Sequence, residues 1–120
     1  FDKINENFIR CSFFELCSRY LSSYYTFAIE QNNSAGRSDF EMTGIPGTDY
    51  YKDDRLAEFK YFKAKEAERM LALSDPRPED VAQVLAYAKD TKEKFPHYHV
   101  RSYIVYICAN KGWKCWEVTP

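Results

Sequence analysis

Two strand-like stretches, "RLAEFKYF" at 55–62 and "HVRSYIVYICAN" at 99–110, are separated by a long run of helix-forming sequence. That spacing restricts the fold more than anything else in the chain. A connection made of helices has to return over the sheet before the second strand can pair. The result is a mixed sheet with helices packed on its faces. Within the connection, "KAKEAERMLAL" consists of good helix formers and "SDPRP" stops it. "PEDVAQVLAYAKDTKEKF" then starts a second helix, with Pro78 near N1 and acids in its first turn.

The remaining elements fall on either side. Asn5 can cap a first helix in which Phe8, Ile9, Phe13, Leu16, Tyr20 and Leu21 recur at spacings of three and four, ending near Ser23. "YYTFAIE", from Tyr24 to Glu30, reads as a strand, and "QNNSAG" has the chemistry of a turn. "GRSDFEMTG" places Arg37, Asp39 and Glu41 on one face and Ser38, Phe40 and Met42 on the other. "IPGTDYYKDD" breaks regularity before the strand at 55–62. "KG" and "WKCWEV" close the chain with a hairpin. The expected order is helix, three strands, helices, two strands, in one domain covering residues 1–120.

Composition bounds the chemistry. A formal charge of −1 removes the simple argument that a basic domain binds nucleic acid, so any phosphate-binding surface has to be local. Cys11, Cys17, Cys108 and Cys115 show neither a CxxC nor a Cys/His zinc spacing, and are expected to be reduced and mostly packed. With no basic and apolar leader and no apolar run long enough to cross a bilayer, the expectation is a soluble, cytoplasmic protein without membrane contact. The chain starts without an initiator methionine and enters a helix almost at once, which suggests a module cut from a longer protein.

Leu56, Glu58 and Lys60 share one face of the third strand, so an acid and a base stand two residues apart. A weak same-strand ion pair on a solvent face is one reading. Another follows if the strands of Asp39 and Glu58 pair as an antiparallel hairpin, because the two carboxylates then sit about 5 Å apart. A divalent cation removes their repulsion, and magnesium takes a carboxylate or two while completing its shell with waters and phosphate oxygens. Lys60 would orient and help deprotonate an attacking water and offset charge developing at phosphorus.

Asp39 with "Glu58-Phe59-Lys60" resembles the D…(D/E)xK signature of the PD-(D/E)xK nuclease superfamily, whose core is αβββαβ. "GRSDFEM", "LAEFKYFK" and "AQVLAYA" are similar to the nuclease-like domains at the C-terminus of bacterial AAA-ATPase-like proteins, and the likeness runs from "INENFIR" to "KCWEV". The resemblance implies a restriction-endonuclease-like α/β fold and magnesium- or manganese-dependent hydrolysis of nucleic acid, DNA above all. It also implies an attached N-terminal ATPase-like domain. Asp39 and Glu58 match the metal ligands and Lys60 the catalytic lysine. Glu6 occupies the place of a metal-facing acid on the first helix, and Gln83 that of a glutamine in the helix after the lysine strand. Ser38 replaces the superfamily's proline, which is not a ligand, and the loop from Gly44 to Asp54 is longer than is usual in the narrower group. The alternative is a non-catalytic module of the same fold that binds a partner or regulates the attached ATPase.

Each supporting residue also has a plain structural reading. Glu6 can pair with Arg10, Arg37 with Glu41, and Gln83 can be solvated. Lys63 and Lys65 fall near the rim of the site, where a lysine either touches a DNA backbone or is solvated. His97 and His99 flank Tyr98 in a turn. Tyr103, Tyr106, Trp113 and Trp116 read as core and sheet face, and exposure of Trp113 would favour a base-stacking role.

Overall fold

The computed structural model describes the backbone of residues 6–32 and 37–120, and the side chains at 12, 14–29 and 40–120. Along the chain run α1 (Glu6–Leu21), β1 (Tyr25–Asn32), β2 (Arg37–Gly44), β3 (Asp53–Phe62), α2 (Ala64–Leu71), α3 (Pro78–Lys94), β4 (His99–Cys108) and β5 (Gly112–Val118). The strands form one sheet in the order β1-β2-β3-β4-β5. Neighbours are antiparallel except β3 and β4, which the α2–α3 crossover makes parallel. The αβββαβ order and mixed sheet expected from the sequence are therefore present.

Period-two alternation divides the core into two layers. On one face, Phe14, Cys17 and Leu21 of α1 pack over Phe27, Phe40, Met42 and Phe59. On the other, Ala67 and Met70 of α2 and Val84 of α3 pack over Phe62, Ile104, Tyr106 and Cys108. β3 is thus covered on both sides and Glu58 is wholly buried, which removes the reading of Glu58 and Lys60 as a solvent-face ion pair. Phe8, Ile9 and Phe13 lie in α1 as expected, with side chains outside the described set.

β3 begins at Asp53, two residues earlier than its alternation suggests. "KDD" reads as polar loop, but Asp53 accepts a hydrogen bond from Tyr25 Oη at 2.6 Å and another from Arg55 Nε at 3.1 Å, while Asp54 is buried. Partners on other strands override local propensity here. β1 likewise runs to Asn32, and α1 stops at Leu21.

The aromatic stripe also divides. Residues three apart in a strand point to opposite faces, so Tyr106 and Trp116 stack edge to face at 5.1 Å under α2 and α3. Tyr103 and Trp113 line a groove on the α1 side, where Trp113 is 67% exposed. Cys17 and Cys108 are packed as expected, whereas Cys115, on the uncovered face of the edge strand, is exposed.

Candidate active site

β2 and β3 pair with Asp39 directly across from Glu58, the register on which the sequence reading depended. The connection that fixes it turns on Gly44. A Cβ there would lie 1.6 Å from the Tyr50 carbonyl oxygen, and that same oxygen accepts the Asp53 N–H at 2.9 Å to launch β3. Gly47, at φ 90°, and Lys52, at φ 72°, take left-handed conformations in the same turn.

Glu58 lies on the α2–α3 side with Lys60, whose Nζ is 4.0 Å from Glu58 Oε1. The Lys60 side chain is 12% exposed, so this is a nearly buried pair in which attraction is weakly screened. Asp39 and Glu6 have side chains outside the described set. Glu6 opens α1, a helix that packs on the opposite sheet face from Glu58. Gln83 is half-buried on α3, and no hydrogen bond among the described residues joins it to Glu58 or Lys60. Lys63, Lys65, His97 and His99 are exposed. The Arg37–Glu41 and Glu6–Arg10 pairings also lie outside the described side chains.

A second carboxyl pair stands on the same face. Asp54, 1% exposed, is hydrogen-bonded to Glu41, one pleat further along β2 than Asp39. Burial first, then the hydrogen bond and charge of Glu41, push the Asp54 carboxyl up to about 8. Among the described residues no group of three acids, histidines or cysteines has the arrangement of a metal centre. The donors at positions 39 and 58 are hard carboxylate oxygens, the ligand chemistry that magnesium and manganese take.

Sequence reading missed a cluster next to Lys60. Tyr106, registered beside Lys60 on β4, is fully buried, and its hydroxyl donates to buried Asp80 while accepting the Arg77 N–H at 3.0 Å. Arg77 donates from Nε to Asp80 Oδ2 at 2.9 Å. Burial first, then the Asp80 bond, raise the Tyr106 hydroxyl to about 12, so it stays a donor at every physiological pH. The only local signal was an arginine three residues before an acid in "RPED".

Mixed sheet, αβββαβ order and a D…ExK register define a chain of the restriction-endonuclease-like class. A family model described as the PD-(D/E)XK nuclease superfamily matches residues 4–117, and the chain belongs to that superfamily. Neither the curated proteins nor the solved structures contain a match to it. No helix among the described residues is long and apolar enough to cross a membrane.

Proposed function

We propose that this chain hydrolyses phosphodiester bonds in nucleic acid, DNA in particular, with the help of magnesium or manganese. The observation that carries the reading is the direct pairing of position 39 with Glu58, together with Lys60 Nζ 4.0 Å from the Glu58 carboxylate. Family membership supports it.

Asp39 and Glu58 would hold the ion, and Glu6, at the start of α1, is carried over as a third acid on the strength of the resemblance alone. When bound, the ion would neutralise the two acids and polarise the phosphate. Lys60 acts on the other side of the reaction. Its ammonium, held beside Glu58, orients the attacking water, makes that water more acidic through its positive field and offsets charge developing at phosphorus. Because Lys60 is nearly buried, its field there is stronger than at an open surface. Gln83, on the helix that covers this face, is assigned a supporting contact. We further read the chain as the C-terminal module of a longer bacterial, cytoplasmic protein with an N-terminal ATPase-like domain.

The test is metal-dependent cleavage of single- and double-stranded DNA, with Lys60→Ala as comparison. Cleavage that needs magnesium or manganese and falls by about a hundredfold or more in the variant is expected. Equal rates in the two chains would remove Lys60 from the mechanism.

A second reading, a non-catalytic interaction module, is favoured by the groove on the α1 side. Phe40, Phe59 and Val105 floor it and exposed Trp113 stands on its rim. No metal-dependent cleavage by the unsubstituted chain would transfer the assignment to this reading.

A further inference from the structure

The row of the sheet that contains Lys60 continues across two more strands. Lys60 is registered against Tyr106, and Tyr106 against Lys114. Over this row lies the segment joining α2 to α3, tied down at several points. Lys114 donates to the Leu73 carbonyl, Trp116 Nε1 donates to the Ser74 carbonyl at 3.0 Å, and the Arg77 N–H donates to Tyr106 Oη. The Arg77 guanidinium is fixed in turn. Its carbon stands 5.0 Å from the centre of the Phe62 ring and 5.8 Å from that of Tyr106. Phe62 is two residues beyond Lys60 on the same face and Tyr106 is one strand over, so the guanidinium stands on the same sheet face as Lys60, beside its neighbours.

An arginine kept only to start α3 would be a poor choice. Position 77 is the N-cap and supplies no side-chain cap, whereas Ser, Thr, Asp or Asn there would contribute about 1 kcal/mol. The fold instead places buried Asp80 and buried Tyr106 so that they hold the arginine's Nε side. Asp80 takes the Nε proton and a longer 3.4 Å contact from Nη2. Glu79 adds an ion pair to Nε at 3.4 Å. The Tyr106 hydroxyl also takes a guanidinium contact, and the side chain, with five N–H donors, is 32% exposed. A rigid, partly exposed guanidinium fork is the geometry that grips a phosphate. A cation here offsets the carboxyl groups that Glu58 and Glu41 turn toward this face, against which a polyanion has to bind.

We propose that Arg77 binds a backbone phosphate of the nucleic-acid strand adjacent to the phosphate attacked at Lys60, with Asp80 and Tyr106 as its positioning residues. The inference rests on the nuclease reading above, and it names the contact that places the strand across the site.

The test measures binding and cleavage separately. Affinity of the chain for single-stranded and duplex DNA oligonucleotides, followed in EDTA over a range of salt, is compared with Arg77→Gln, Arg77→Lys and Arg69→Ala. Arg77→Gln keeps a donor for Asp80, so it remains informative where a truncation to Ala unfolds the chain. It should lower the slope of log affinity against log salt by about 0.9 on duplex or about 0.7 on single strands. Arg77→Lys should restore the slope, yet cleave roughly tenfold or more slower through loss of the fork. Arg69, on the exposed side of α2, should leave the slope unchanged.

In the cleavage arm, the substrate carries a single neutral methylphosphonate at each position flanking the cut. The unsubstituted chain should slow at one position, and Arg77→Gln should be indifferent to it. An unchanged slope in Arg77→Gln, or equal sensitivity to every neutralised position in both chains, would reduce Arg77 to a structural ion pair. The slope decides this inference alone. Cleavage by the unsubstituted chain decides the nuclease reading.

Discussion

Asp54 sits almost wholly buried beside Glu41, with Asp53 next to it in the chain, and one of its oxygens, Oδ1, has no hydrogen bond among the described residues. Its carboxyl is pushed up to about 8 by burial above all, and then by Glu41. An unfolded aspartate titrates near 4, so between these values the folded chain holds a proton that the unfolded chain has released. Stability contributed by this group is therefore full below about pH 4 and is lost as pH rises through about 8. Asp54→Asn carries no charge at any pH. Urea midpoints of the metal-free protein at about pH 5 and about pH 9 should differ by half as much or less in the variant as in the unsubstituted chain. Identical pH dependence in the two would show that Asp54 ionises freely in the fold. Nothing in "DDRLAEFK" separates Asp53, held as an anion by Arg55, from Asp54, held as an acid. Only the alternation that turns Asp54 inward under the helices does so, and it is the same alternation that turns Glu58 and Lys60 inward.

At the scale of elements, the β2–β3 connection sets the active-site register, and Gly44 is its least replaceable residue. Gly44→Ala would drive a methyl group into the Tyr50 carbonyl, which closes the turn into β3. Backbone cannot yield as a flexible side chain does, so the loop has to rebuild. The expected cost is about 3 kcal/mol or more, a fall in melting temperature of roughly 10 °C. Cleavage measured well below that melting point should fall as well, because the pairing of Asp39 with Glu58 depends on the same turn. Calorimetry giving an unchanged transition would mean that the loop has a second conformation of similar energy. The sequence showed Pro46 and Gly47 as turn residues; it gave no sign that Gly44 would meet a carbonyl from six residues ahead. The aromatic stripe carried its answer openly, by contrast. Spacings of three between Tyr103 and Tyr106, and between Trp113 and Trp116, already separate each pair onto two faces of a strand.

For the molecule as a whole, a charge of −1 means that nucleic-acid binding has to rest on a few local contacts. Affinity should be weak, and the slope of its logarithm against log salt should stay below about 3, at about 0.9 for each phosphate held on duplex. A slope above about 6 in a salt titration would reveal a basic surface that the described cations do not form. The sequence by itself determined the element order, the parallel crossover and the parity that aligns position 39 with Glu58 and Lys60. These follow from local periodicity and from chain connectivity, which act over neighbouring residues. Tertiary structure alone decided which groups lost water. Glu58 and Asp54 became buried only because α2 and α3 close over β3. Arg77 came to stand beyond Lys60 because a crossover returned "RPED" over a row fixed by Tyr106. Burial and long-range juxtaposition depend on what packs against a residue, and a local pattern does not contain that.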